Sequence, residues 1–261
     1  MNTVVLLKMV PDVVEELDVA TDGCSLNAEF LRMILNERDA HALEQALLLK
    51  ELHGGKVTAL ALDVAEADDA LFTALAKGVD RAVKVTGFEP GLSTRSAAQT
   101  LAQVLTALPG VLPVDLILTG CQAIDDLDGM LAPLLAHEMK LPYLGLVTHV
   151  ALEAADHKAT VRKEYAGGVH GEFEVQLPAV LGIQAAEKPP RYVPVAKVRA
   201  VMKSQKIELA EAPAPGSGGE AGYRVLAMAK PMAAGHAKML EGTPEEIASK
   251  IAEVLVARGV L

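Results

Sequence analysis

An acidic loop between Gly120 and Gly129 is the part of the chain whose residue types most directly suggest ligand binding. An apolar run, Val114 to Thr119, precedes the loop, and a helical pattern begins near Gly129. A glycine allows a sharp turn at the end of a strand, and the unpaired N–H groups of the next helix can hold phosphate. The loop also contains three acidic side chains, Asp125, Asp126 and Asp128. Because a carboxylate competes with phosphate for such N–H groups, either these side chains cap the helix, or they turn aside and the backbone binds the ligand.

Two other predicted strands end in residues that could join this site. The carboxyl ends of parallel strands meet at one edge of a sheet, and ligands collect there. Asparagine can hydrogen-bond to ribose or adenine, and backbone amides can hold phosphate. The residues expected at this edge are Leu6, Lys8, Asn36, Arg38, Asp39, Leu62, Gly120, Gln122, Ala123, Ile124, Asp125, Asp126, Asp128 and Gly129. A simpler interpretation of Asn36 and Asp39 is that they cap a helix, and the sequence leaves both interpretations open.

No catalytic or metal-binding set emerges from the remaining residues. The seven histidines are scattered without metal-ligand spacing, and the two cysteines, Cys24 and Cys121, are far apart. The chain has neither a P-loop nor a G-x-G-x-x-G motif. We therefore expect a protein that is not an enzyme, with no catalytic side chains and no metal site of its own.

The elements that would position the site alternate between strand and helix. Predicted strands are Thr3 to Val10, Lys56 to Leu62, Arg81 to Val85 and Val114 to Thr119, and predicted helices run from Asp39 to about His53, from Ala65 to Lys77 and from Thr94 to Leu108. Tyr143 to Leu152, Ala159 to Tyr165 and Val169 to Gln176 are expected to pair antiparallel, before a further strand at Ala179 to Gln184. The predicted fold is α/β: a Rossmann-like, mostly parallel sheet covered by helices on both faces, with additional antiparallel strands and a C-terminal arm ending in a helix.

Three regions follow from this pattern: an α/β domain at 1–187, a basic segment at 188–208, and a linker with a C-terminal helix at 209–261. The stretch from Lys188 to Lys206 contains six basic residues and no acidic one. It is either a solvated helix face or a docking arm. Leu209 to Gly222 has the composition of a flexible linker. Thr243, Pro244 and Glu246 predict a capped helix start, and the apolar stripe of that helix must be buried on its own domain or on another subunit.

Bulk composition excludes some classes of function. The net charge of −10 argues against nucleic-acid binding. The mean hydropathy is +0.28, but no apolar run reaches the roughly 18 residues that a membrane span needs. The N-terminus has no recognisable leader, so we expect a cytoplasmic protein without direct membrane insertion.

Several motifs, in this order, resemble those of the β subunits of electron transfer flavoproteins over nearly the whole chain. The matching motifs are Lys8-x-Val10-Pro11-Asp12, Asn36-Glu37-Arg38-Asp39, Ala42-Leu43-Glu44-Gln45-Ala46, Leu49-Lys50-Glu51, Ala74-Leu75-Ala76-Lys77-Gly78-Val79-Asp80-Arg81, Gln122-Ala123-Ile124-Asp125, Leu177-Pro178-Ala179-Val180, Pro190-Arg191-Tyr192 and Lys206-Ile207-Glu208. Each motif is weak alone, but their order and spacing are specific.

The resemblance implies an electron carrier subunit that pairs with an α subunit. In that family the redox-active FAD is held mainly by α, and β buries AMP, or a second FAD in electron-bifurcating members, at the sheet edge described above. The Lys-x-Val-Pro-Asp start resembles the bifurcating branch. The implied nucleotide site also includes Met130 and Leu131. The segment similar to the family's loop for docking dehydrogenases contains Arg191, Tyr192, Val195, Lys197, Arg199 and Lys203, and Val195 stands where members commonly have leucine. The downstream acceptor would be a quinone reductase or a similar oxidoreductase.

The chain departs from the family in the acidic loop. Members commonly have Asp-Thr-Gly-Gln where this chain has Leu127-Asp128-Gly129-Met130. A carboxylate about 5 Å from a phosphate costs roughly 3 kcal/mol at an effective dielectric of about 20. AMP should therefore bind poorly unless Asp128 points to solvent or meets a cation such as Arg38.

The sequence leaves two alternatives to the electron carrier. One is a stand-alone nucleotide-binding hydrolase or ligase with the same sheet topology. The other is an assembly subunit whose nucleotide site is empty.

Overall fold

A computed structural model describes residues 1–88, 92–126, 128–153, 157–213, 225–231, 237 and 239–260. Its strands are β1 Asn2–Leu7, β2 Met9–Pro11, β3 Met33–Leu35, β4 Lys56–Leu62, β5 Arg81–Thr86, β6 Leu116–Gly120, β7 Tyr143–Glu153, β8 Lys158–Glu164, β9 His170–Gln176, β10 Ala179–Ile183 and β11 Glu208–Glu211. Its helices are α1 Glu37–His53, α2 Ala67–Lys77, α3 Thr94–Ala107, α4 Leu131–Met139, α5 Val195–Ser204 and α6 Pro244–Ala257. The predicted α/β fold class is confirmed.

The main sheet has the strand order β11-β5-β4-β1-β6-β10-β7-β8-β9. All neighbours from β11 to β7 pair in parallel. From β1 the chain proceeds outward through β4 to β5, and then returns to place β6 on the other side of β1. This reversal opens a crevice at the carboxyl ends of β1 and β6, where open α/β sheets bind ligands.

Helices cover both faces of the parallel sheet. Leu43 and Leu47 of α1 pack with Leu71 of α2 on one face, in a cluster with the buried side chains of β1 and β4. Leu105 of α3 and Leu135 of α4 belong to the cluster on the opposite face. The strands consist of almost continuous apolar residues because both faces are buried, which is typical of parallel sheets.

The strands β7, β8 and β9 extend the sheet as an antiparallel meander, as the sequence predicts. Its far edge carries exposed ion pairs between neighbouring strands, including Lys158 with Glu174 and Arg162 with Glu172. Charged side chains on an edge strand discourage pairing with another chain.

The predicted strand Thr3 to Val10 is wrong at Lys8, where the chain divides into β1 and β2. The N–H of Lys8 donates to the side chain of Asp39 at 2.9 Å. After this break, β2 pairs antiparallel with β3 in a separate two-stranded sheet. The sequence analysis did not predict β3, since three residues are too few to show a periodic pattern.

The predicted linker is wrong at its start. Leu209–Glu211 lie in β11, which pairs in parallel with β5 at the edge of the sheet, so these residues contribute to the sheet despite their polar neighbours. The part of the predicted linker from 214 to 222 lies outside the described residues.

The start of α6 follows the sequence prediction. Thr243 accepts a hydrogen bond from the N–H of Glu246, and the Glu246 carboxylate accepts one from the N–H of Thr243. No residue of α6 is buried, and Ile251 and Val254 of its apolar stripe are 46% and 49% exposed. None of the helices in the described segments is both long and apolar enough to cross a lipid bilayer.

Candidate functional site

A cleft of about 340 Å³ opens at the carboxyl ends of β1 and β4. Its walls are mainly apolar, and its polar end adjoins the acidic loop. The lining residues are Leu6, Leu7, Lys8, Met9, Met33, Asp39, Leu60, Ala61, Leu62, Val64, Phe88, Leu92, Thr94, Ala97, Leu101, Asp125, Asp126 and Leu131. An apolar cleft with a few polar groups at one end is the usual form of a small-molecule site.

Asp39 holds the polar end of the cleft together. Its Oδ2 accepts hydrogen bonds from the N–H of Lys8 at 2.9 Å and from Nδ2 of Asn36 at 3.1 Å. Its Oδ1 accepts one from the N–H of Gly120 at 2.5 Å. Asn36 Nδ2 also donates to the carbonyl of Gln122 at 3.0 Å. This side chain therefore joins the end of β1, the start of α1 and the end of β6, instead of capping α1.

Burial changes the acidity of this carboxyl group. Asp39 is 4% exposed, and the loss of water raises the pKa of Asp39 to about 6, although hydrogen bonds from Gly120, Lys8 and Asn36 oppose the rise. Such bonds favour the charged form, whereas a low dielectric disfavours it. The carboxylate is mostly ionised at neutral pH, and the three donors hold it in place.

Lys8 is engaged by the acidic loop. Its Nζ lies 2.7 Å from Oδ1 of Asp125 and 2.8 Å from Oδ2 of Asp126. Burial acts to lower the pKa of Lys8, but the hydrogen bonds and charges of the two carboxylates outweigh it and the pKa is raised. Asp126 also accepts from the N–H of Ala123 at 3.2 Å. Among the described residues that line the cleft, the ammonium group of Lys8 is therefore already paired with protein anions.

Asp128 turns back onto its own loop. Its Oδ1 accepts a hydrogen bond from the N–H of Met130 at 3.0 Å, just before α4 begins. Arg38 instead donates from Nη1 to the carbonyl of Gln184 at 2.7 Å. Met130 is the N-cap residue of α4, and no side chain among the described residues caps this helix. The structure therefore does not bear out the first sequence alternative, in which the loop carboxylates cap the helix.

Two glycines permit the close approach of these segments. A Cβ atom on Gly120 would lie 2.6 Å from Cβ of Arg38, and one on Gly129 would lie 2.7 Å from the carbonyl oxygen of Cys121. Gly129 also has φ +61°, in the left-handed region. The loop can fold over the sheet edge in this way only with glycine at these positions.

The predicted site residues divide among three locations. Leu6, Lys8, Asp39, Leu62, Asp125, Asp126 and Leu131 line the cleft. Asn36, Gly120, Gln122, Ala123 and Gly129 line a small recess that also includes Lys8, Asp39, Asp126 and Leu131. Arg38 and Ile124 lie in a neighbouring groove, and Asp128 and Met130 belong to none of these walls. Leu127 of the loop motif lies outside the described residues.

The opposite wall of the cleft, which includes Phe88, Leu92 and Leu101, was missed by sequence reasoning. Leu92 precedes α3 and Leu101 lies on its buried face, so they come from the connection after β5. The sheet topology could have indicated this wall, because the segment that joins β5 to α3 also starts at the carboxyl edge of the sheet.

The predicted docking segment is tied to α1 through Arg191. The guanidinium donates to both carboxylate oxygens of Glu44, at 2.8 to 3.0 Å, and to Glu51 at 2.6 Å. The N–H of Arg191 donates to Glu44 as well, at 2.9 Å. These hydrogen bonds raise the pKa of Arg191. Sequence reasoning missed the role of Glu44, whose buried charge lies within the apolar pattern of α1.

The other predicted docking residues are exposed to solvent. Tyr192 is 83% exposed and Val195 is 61% exposed. Lys197, Arg199 and Lys203 are exposed on α5. Within the described ranges, no group of three or more histidine, cysteine or acidic residues is arranged to hold a metal ion.

Comparisons with known proteins match most of the chain's sequence. The family model described as "Electron transfer flavoprotein domain" matches residues 26–216. The chain is 29% identical to the electron transfer flavoprotein subunit beta of Methylophilus methylotrophus, over 98% of each chain. It is 29% identical to the Bacillus subtilis protein of that name, over 98% of this chain and 97% of the relative. For the Clostridium acetobutylicum protein of that name, identity is 34% over 76% of this chain and 74% of the relative.

Proposed function

The chain belongs to the electron transfer flavoprotein family as a β subunit, and we propose that it serves as the β half of a heterodimeric electron carrier. The observation that carries this proposal is similarity along nearly the whole chain to proteins named as this subunit. The carrier would accept electrons from a dehydrogenase and deliver them to an acceptor oxidoreductase such as a quinone reductase.

We propose that the redox-active FAD is held mainly by the α subunit and that this chain forms one wall of its site. A groove of about 290 Å³ beside the acidic loop is open to solvent and is lined largely by apolar side chains. Val13 and Ile124 on this groove are 58% and 51% exposed. Exposed apolar side chains at a groove favour contact with a partner or a flat apolar ring.

The cleft at the carboxyl ends of β1 and β4 is proposed as the adenine site of the subunit. The family resemblance suggests AMP or, in a bifurcating complex, a second FAD. The apolar walls fit an adenine ring, whereas the polar end does not fit a phosphate, because Lys8 is already paired with Asp125 and Asp126. The cleft therefore fits the adenine ring of either nucleotide but not its phosphate groups.

The C-terminal helix α6 is proposed to pack on the α subunit. Its apolar stripe is exposed in this chain, including Ile251 and Val254. Burying one such side chain contributes roughly 1.5 to 3 kcal/mol, so a partner that covers the stripe would be held firmly. The basic segment that contains α5 is proposed to dock the dehydrogenase.

Purification of the native complex tests this function. We expect a roughly equal-sized flavoprotein to co-purify, with mass spectrometry showing one FAD, or two if the complex bifurcates electrons. The double variant Ile251→Asp/Val254→Asp should lose the partner while keeping the stability of the chain, since both side chains are already half exposed. Ser249→Asp, on the opposite side of α6, is the matched control. Isolation of a colourless chain that turns over ATP alone would contradict the proposal and favour the hydrolase or ligase alternative.

A further inference from the structure

The polar end of the cleft contains three carboxylates, those of Asp39, Asp125 and Asp126, where the phosphate of a nucleotide would add further negative charge. We propose that the cleft binds an uncharged adenine nucleoside, such as adenosine, in preference to AMP or another phosphorylated nucleotide. The inference rests on the proposed function only in taking this cleft as the adenine site. It concerns the ligand class and not the electron carrier role.

The charge of the lining residues is the first argument. Among the described residues that line the cleft, Lys8 is the only cation, and Asp39, Asp125 and Asp126 are anions. Lys8 Nζ contacts both loop carboxylates within 2.8 Å. A phosphate with a charge of about −2 would have to displace these carboxylates or remain beside them. Either course weakens binding, because the displaced carboxylates lose their partner and the retained ones repel the ligand.

The backbone N–H groups around the cleft provide the second argument. Phosphate sites at sheet edges rely on unpaired N–H groups. Here the N–H of Gly120 donates to Asp39 and that of Ala123 donates to Asp126, and both carboxylates line the cleft. These two N–H groups are therefore already occupied and are not available to a phosphate.

The remaining walls favour a flat, uncharged ring. Leu6, Leu60, Leu62, Phe88 and Leu101 line the larger part of the cleft. Removal of an aromatic base from water into such walls is favourable at roughly 25 cal/mol per Å² of apolar area. The volume of about 340 Å³ falls within the common range of small-molecule sites, about 300 to 1,000 Å³. The apolar part of the cleft can therefore hold the base while its anionic end rejects a phosphate.

Calorimetric titration of the full chain with adenosine and with AMP, at low ionic strength and neutral pH, tests the inference. We expect adenosine to bind at least tenfold more tightly than AMP. The affinity for AMP should rise with added salt because salt screens repulsion, whereas the affinity for adenosine should change little. The salt dependence needs no substitution, so it tests the inference even if a variant fails to fold.

The double variant Asp125→Asn/Asp126→Asn should free Lys8 to meet a phosphate. We expect its affinity for AMP to rise at least tenfold and its affinity for adenosine to stay within about threefold of the wild type. Glu164→Gln/Glu253→Gln is the matched control, because it removes two exposed charges outside the cleft lining. This control should keep the wild-type preference.

Three results would overturn the inference: AMP binding as tightly as adenosine, no measurable adenosine binding, or an AMP affinity that falls with salt. Each leaves the carrier proposal standing if the flavoprotein partner still co-purifies. Conversely, a chain that prefers adenosine but has no flavoprotein partner would refute the carrier function alone.

Discussion

Arg191→Ala is the substitution whose effect follows most directly from the geometry. The guanidinium of Arg191 is the partner of two acidic side chains on α1, Glu44 and Glu51. The Glu44 side chain is 4% exposed, whereas that of Glu51 is 56% exposed. Removal of the arginine therefore leaves one carboxylate in water and the other inside the protein.

The size of the expected loss comes from the buried partner. Leaving a buried charge without its partner typically destabilises a protein by about 3 to 5 kcal/mol. An exposed ion pair contributes only about 0 to 1 kcal/mol. The backbone N–H at position 191 still donates to Glu44 in the variant, so we expect Arg191→Ala to lower the free energy of unfolding by about 3 kcal/mol, at the lower end of this range and almost all of it through Glu44.

Urea unfolding followed by circular dichroism measures this loss, and the chain provides its own control. Glu51→Ala removes the exposed partner of the same arginine and should change the free energy of unfolding by less than about 1 kcal/mol. The double substitution Glu44→Met/Arg191→Met removes both charges together and should be close to neutral, because a buried pair roughly balances its own desolvation.

A small loss in Arg191→Ala would refute the reasoning. If Arg191→Ala and Glu51→Ala destabilised the chain equally, Glu44 would have to reach water once its partner is removed. If the double methionine variant were as unstable as Arg191→Ala, the loss would come from packing of the arginine stem and not from an unpaired charge.

Two further predictions concern the sheet edge and the docking arm. Burial raises the pKa of Asp39 from 3.8 to about 6, so the folded state binds more protons than the unfolded state between these values, and stability falls as the pH rises through that window. Relative to Asp39→Asn, the wild type should lose about 3 kcal/mol of its free energy of unfolding between about pH 4 and pH 7. If the difference in free energy of unfolding between the two proteins, measured with urea, did not change with pH, the burial argument would be contradicted. Replacing Lys197, Arg199 and Lys203 with glutamates should slow electron delivery from the dehydrogenase at low salt and leave the flavin content unchanged. Unchanged kinetics would indicate that these residues form only a solvated helix face.

Elements with a strong local pattern were predictable from the sequence. The bounds of β4 match the prediction residue for residue, and the capping box of α6 forms as its residues indicate. Short elements without a pattern, β3 and β11, were missed, because the partner strand and not local composition stabilises them. The break at Lys8 likewise depends on Asp39, which is 31 residues away in sequence.

The sequence by itself determined the fold class and the family, since apolar periodicity and motif order are properties of the chain alone, and it predicted a ligand site at the carboxyl edge of the sheet. Only the tertiary structure decided what the acidic loop does. The direction of each carboxylate depends on donors that folding brings from β1, α1 and β6, and those donors turn Asp39, Asp125, Asp126 and Asp128 toward the protein's own N–H and ammonium groups. For the same reason, the partners of these acidic residues could not be read from the sequence alone.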